Sequence, residues 1–132
     1  MSSPARIQLR RTKGFNLQEA SLALNGLECV NVARPSRWGN PYPIDMYGLE
    51  LSLALFRNTV NGIWNPSILK NHSDKLCDSA YVAHHAFMKR LGGHPLELAR
   101  SFLRGHNLAC WCDASHPCHA DIWLEISNGG SI

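Results

Sequence analysis

The chain has 132 residues, 45% of them apolar and 17% charged, with a formal net charge of +3. That length suits one domain with a sizeable core, and the composition excludes a disordered or fibrous chain. The mild positive charge fits an anionic ligand such as a nucleotide or nucleic acid without demanding one.

No apolar run approaches the ~20 residues of a membrane helix, so no membrane partner is expected. Met1-Ser2-Ser3-Pro4-Ala5-Arg6 lacks the apolar core of a signal peptide. The five cysteines are an odd number, and three of them cluster in one place. Together these features predict reduced thiols in a cytoplasmic setting rather than a disulfide framework.

The first residues, 1–5, are expected to fray. Arg6 to Arg11 alternates Ile7 and Leu9 with polar residues, the pattern of a half-exposed strand. Residues 15–26 read as a loop with at most one helical turn, and Leu27 to Val32 as a second strand. Ala33 to Pro43, ARPSRWGNPYP, is a loop by its prolines, Gly39 and Asn40. It carries recognition chemistry. Arg34 and Arg37 can hold phosphate or carboxylate, Trp38 and Tyr42 can stack on a base, and Gly39 permits close approach to the backbone.

A helix is predicted from Met46 to Thr59, with Leu49, Leu53, Phe56 and Val60 on its buried face and Asn61-Gly62 as its stop. A polar loop follows over residues 63–73, with Ile63, Trp64, Ile68 and Leu69 able to cover the core edge. Asp74 to Leu91 reads as a second helix, with Asn71 or Ser73 as cap, Leu76, Ala80, Ala83 and Phe87 on one stripe, and Gly92-Gly93 at its end. Pro95 opens a short third helix that turns Leu96, Ala99, Phe102 and Leu103 inward and stops at Gly105. His84 and His85 are adjacent on a helix and so do not share a face.

The stretch LRGHNLACWCDASHPCHADIWLE, Leu103 to Glu125, is the chemical centre of the chain. It holds three of the five cysteines and three of the seven histidines. Leu108 to Trp111 reads as a short buried strand, in which Cys110 and Cys112 would point one way and Trp111 the other. Asp113 to Pro117 forms a loop, with Pro117 in the first turn of a helix that Cys118 and His119 open. Residues 129–132 are a loose tail. These elements predict an α/β protein: a small single-domain layered sandwich, its short, mostly parallel or mixed sheet flanked by helices.

RIQLRRTKG, ARPSRWGNPY and LRGHNLACWCDASHPCHADIWLEISN, taken in that order, resemble the domain of unknown function 4326 family, found in bacteria and their phages. The resemblance covers residues 6–43 and 103–128 and leaves a variable middle at about 61–95. Phe15 stands where many members have tryptophan after the Lys-Gly step, and Ile122-Trp123 where leucine is usual. The family name carries no reaction, so the resemblance implies a coherent fold and a candidate site only.

Three chemistries remain open at that site. Cys110, Cys112, Cys118 and His119 are a donor set for zinc, though C-x-C followed by C-H is not a standard ligand spacing. Cys118 at a helix N-terminus should have a lowered pKa and could act as a nucleophile with His119, with Asp121 as base or simply as helix cap. The third chemistry is binding of a small anionic or nucleotide-like ligand by Arg34, Arg37, Trp38, Asn40 and Cys112, with Trp38, Tyr42 or Trp111 stacking a base. Arg10, Arg11 and Lys13 are a small footprint for nucleic acid and read more simply as a solvated strand end.

Overall fold

The computed structural model describes residues 3–113 and 115–129. The expectations for Met1, Ser2, Ala114 and the tail from Gly130 lie outside the described residues. Packing divides the chain into two compact units: the residues up to Gly39 with those from Leu98 onward, and Asn40–Glu97.

The first unit is built on a sheet with three strands among the described residues, β1 (Arg6–Gln8), β2 (Cys29–Asn31) and β3 (Asn107–Cys110). The order is β1-β3-β2, and both pairings are parallel. Arg6 stands opposite Leu108 and Gln8 opposite Cys110, while Cys29 stands opposite Asn107. The central strand β3 is buried at all four positions, as expected of a parallel strand covered on both faces.

Residues 15–26 form a helix rather than a loop: α1 spans Leu17–Asn25. Its ends are specified locally. The Asn16 side chain accepts from the Glu19 N–H at 3.0 Å, and Gly26 takes the left-handed conformation that closes the helix. The apolar set there is sparse, and Leu22 and Leu24 stay about half exposed, which is why periodicity under-reports this helix. Gln18 on α1 completes the edge of β2: its amide donates to the Cys29 carbonyl at 2.9 Å and accepts from the Cys29 N–H at 3.0 Å. An exposed strand edge is thereby blunted.

The last helix, α6 (His119–Asn128), packs on β3 and β1. Its N-cap is Cys118, so Pro117 lies before the helix and not in its first turn. Trp111 lies one residue beyond β3 and is 46% exposed. α5 (Pro95–Phe102) buries Ala99, and Leu103 just after it is buried too, but Phe102 is turned outward at 52% exposure instead of inward. The Arg37 guanidinium covers that ring at 4.8 Å.

The second unit is helical. The single helix expected from Met46 is two, α2 (Ile44–Tyr47) and α3 (Leu49–Val60). Gly48, at φ 80°, adopts a backbone conformation that L side chains rarely take, and it breaks the run. The buried face of α3 is also rotated from the leucine stripe: Ser52, Leu55, Phe56, Thr59 and Val60 are buried, while Leu49 and Leu53 are half-buried. Ser52 takes an inward position because its hydroxyl donates to the Tyr42 carbonyl at 2.6 Å. Within the expected polar loop, Pro66–Leu69 forms a 3-10 turn that buries Leu69 completely. α4 spans Asp74–Leu91, between the Ser73 cap and left-handed Gly92, as its capping residues dictate.

On α4 the buried stripe carries His84 where Ala83 was expected. His84 Nδ1 lies 3.0 Å from Thr59 Oγ1, which lies 2.7 Å from the Tyr42 hydroxyl. Burial, with the neighbouring His85, holds the His84 pKa below its ordinary value of 6.5. A neutral folded imidazole must therefore be compared with an unfolded one that gains a proton near pH 6.5. The stabilisation is complete above that pH and is lost as the pH falls below it. Melting temperature should fall more between pH 7.5 and pH 5.5 for the native protein than for His84→Gln; equal falls would contradict this assignment. No helix among the described residues is long and apolar enough to cross a membrane.

Candidate functional site

Because all three strands run parallel, the segments leaving their carboxyl ends start from one edge of the sheet, where open α/β sheets bind ligands. β1 leads into Leu9 to Lys13, β2 into Val32 to Trp38, and β3 into the cysteine loop. Backbone pairing continues past the strands, with the Leu9 N–H donating to the Cys110 carbonyl at 2.7 Å and the Val32 N–H to the Ala109 carbonyl at 2.9 Å.

The three thiols of the last segment converge. The sulfurs of Cys110, Cys112 and Cys118 all lie within 4.8 Å of one another, with Cys110 and Cys118 buried and Cys112 half-buried. Cys110 and Cys118 share an S–H···S contact of 3.0 Å. That hydrogen bond, reinforced by burial, pushes Cys118 up to about 11. The same bond pulls Cys110 down, while burial raises Cys112. The lowered Cys118 pKa expected from its helix position does not occur, because burial and the neighbouring sulfur outweigh the helix end and His119.

His119 is buried beside this cluster. Its Nε2 lies 2.7 Å from the Val32 carbonyl. A carbonyl can only accept, so the proton resides on Nε2 and Nδ1 carries the lone pair. Nδ1 lies 3.4 Å from Cys118 Sγ. A second-strand carbonyl thus fixes the tautomer of the imidazole on the last helix.

Asp121 is engaged as a structural cap. Its Oδ2 accepts from the Cys118 N–H at 3.0 Å and from Arg6 Nη1 at 2.9 Å. Arg6 Nη2 also donates to the Asp113 carbonyl at 3.0 Å. Arg6 therefore ties β1 to both ends of the cysteine loop, and its side chain is 10% exposed. Nothing local in the sequence marks this role: alternation alone places Arg6 on a solvent face, and its partner is 115 residues away.

The arginine loop is more structural than its composition suggests. Trp38 is buried, with its ring edge-on to Trp123 at 5.1 Å, and its carbonyl accepts from Trp123 Nε1 at 2.8 Å. Arg37 stacks over Trp38 at 4.7 Å as well as over Phe102. Gly39 serves the loop itself, since a Cβ there would meet Arg34 Cγ at 2.6 Å and Arg34 Cα at 3.0 Å. Asn40 belongs to the second unit, where it caps a turn: its Oδ1 accepts from the Tyr42 N–H at 2.9 Å and its Nδ2 donates to Ser52 Oγ at 2.9 Å. Tyr42 is also buried.

Arg10, Arg11, Lys13 and Arg34 are exposed, and none is ion-paired among the described residues. The Arg11 guanidinium lies 4.8 Å over the exposed ring of Trp111, joining the β1 and β3 segments at the rim.

Parallel strands delivering a thiol–imidazole cluster and a basic rim to one sheet edge define a small α/β protein with its candidate site at the strands' carboxyl ends. The chain belongs to the domain of unknown function family DUF4326, whose model matches residues 7–129 and so runs through the middle of the chain as well as the two motif-bearing ends. Comparison with curated proteins and with solved structures returned no match.

Proposed function

We propose that the first unit binds an anionic, nucleotide-like ligand at the carboxyl edge of its sheet, in a cytoplasmic protein. One observation carries this reading: the Arg11–Trp111 pair presents a cation and an exposed aromatic face together, with Arg10, Lys13 and Arg34 as exposed cations on segments leaving the same edge. Phosphate would be held by the arginines as charge-assisted hydrogen bonds, and a base would stack on Trp111. Trp38 and Arg37, engaged in packing, position this edge rather than touch the ligand, while Asn40 serves a turn of the second unit.

Thermal-shift titration at low salt with ATP, GTP and inorganic pyrophosphate tests the reading. The nucleotides should raise the melting temperature. Arg11→Gln should weaken binding roughly tenfold, about 1.4 kcal/mol. Trp111→Leu should weaken the nucleotides but not pyrophosphate. No stabilisation of the native protein by any of the three would refute the proposal. A steep salt dependence with oligonucleotides, stronger than with mononucleotides, would favour nucleic acid as the ligand.

A further inference from the structure

The thiol cluster has a chemistry of its own, independent of the anion reading. We propose that Cys110, Cys112 and Cys118 form a three-thiolate binding site for a zinc-class divalent ion, with His119 Nδ1 as the adjoining nitrogen donor.

Three sulfurs within 4.8 Å of one another surround a common point. In a tetrahedral zinc site with Zn–S near 2.3 Å, sulfurs stand about 3.8 Å apart. The Cys110–Cys118 separation of 3.0 Å and the outer limit of 4.8 Å bracket that spacing. Cys110 ends β3, Cys118 is the N-cap of α6 and Cys112 lies in the loop between them, which is braced by the Arg6 bridge to Asp113 and Asp121.

The surroundings also favour a metal over three free thiols. A bound dication supplies the charge that displaces the thiol protons. Each thiol releases its proton to solvent as its sulfur ligates, so the protein gains three negative charges against the ion's two positive ones. Arg6 is the cation placed beside this cluster, its guanidinium donating to the Asp113 carbonyl and to Asp121 at the two ends of the loop. His119 has the orientation of a metal-ligating histidine, with one ring nitrogen committed to a backbone carbonyl and the lone pair of the other next to Cys118.

The test is metal content of the full chain, purified under reducing conditions, followed by cobalt(II) substitution. One zinc per chain is expected, and cobalt should give a sulfur-to-metal charge-transfer band of three-thiolate intensity. Cys112→Ser, at the half-buried position, should retain the fold, lose about a third of that intensity and bind zinc at least tenfold more weakly. Cys77→Ser, in the second unit, should change neither reading. Absence of zinc together with absence of the cobalt band would overturn the proposal. So would metal bound equally well by Cys112→Ser, or a Cys110–Cys118 disulfide in the air-exposed native protein that zinc does not prevent.

Discussion

Trp123→Ala should destabilise the protein by about 3–5 kcal/mol, the cost of emptying a large buried aromatic position. Trp123 is the largest fully buried side chain, at 0% exposure. Its ring meets Trp38 edge-on, and its Nε1–H satisfies the Trp38 carbonyl. Truncation would leave a cavity and a buried carbonyl without its donor. It would also loosen the arginine loop, because that carbonyl, with the Val32 carbonyl held by His119, is how α6 holds the segment leaving β2. Urea denaturation should show the lower midpoint. Trp111→Ala, at the exposed tryptophan, should stay within about 0.5 kcal/mol of native. Equal costs for the two would mean that the Trp38–Trp123 contact does not organise this unit.

Asn107→Leu should cost about 2–4 kcal/mol although the two side chains are similar in size. Asn107 is fully buried at the start of β3. Its Oδ1 accepts from the Ala5 N–H at 2.9 Å and from Asn25 Nδ2 at 2.8 Å, and its Nδ2 donates to Ser21 Oγ at 2.8 Å and Asn25 Oδ1 at 2.8 Å. One amide thereby joins β3, the lead-in to β1 and both the middle and the end of α1. Leucine would leave the Ala5 N–H without its acceptor, at about 1–3 kcal/mol, and would take one of the partners from each side of the Asn25 amide. Hydrogen exchange should report this locally, with Ala5 losing protection at a smaller loss of global stability. Unchanged stability and unchanged exchange at Ala5 would contradict the role assigned to this residue.

What could be read in the sequence followed from signals that are local. α4 has its cap and its terminating glycine in the chain itself, and its ends fall at Asp74 and Leu91 as those residues dictate. The thiol cluster was legible because its members lie within nine residues of one another, from Cys110 to Cys118. The parallel sheet was legible as a class but its order was not, since β1 and β3 are separated by most of the chain. The Arg6–Asp121 and His119–Val32 contacts span 115 and 87 residues and leave no periodicity behind. Composition misdirected the reading of the arginine loop for a related reason: Trp38 carries the same atoms whether it stacks on a ligand or on Trp123, and only burial separates the two. Asn40 and Gly39 likewise looked like recognition residues but satisfy their own turns. The sequence offers Trp111 as one of three aromatics able to stack a base and Arg11 as part of a solvated strand end, and the structure pairs them.

The most direct measurement of the central claim is an amide NMR titration of the isotopically labelled protein with ATP at low salt. Binding at the carboxyl edge of the sheet predicts shift changes confined to residues 9–13, 33–37 and 111–119. Changes confined to the helical unit, or none at all at millimolar ATP, would contradict it.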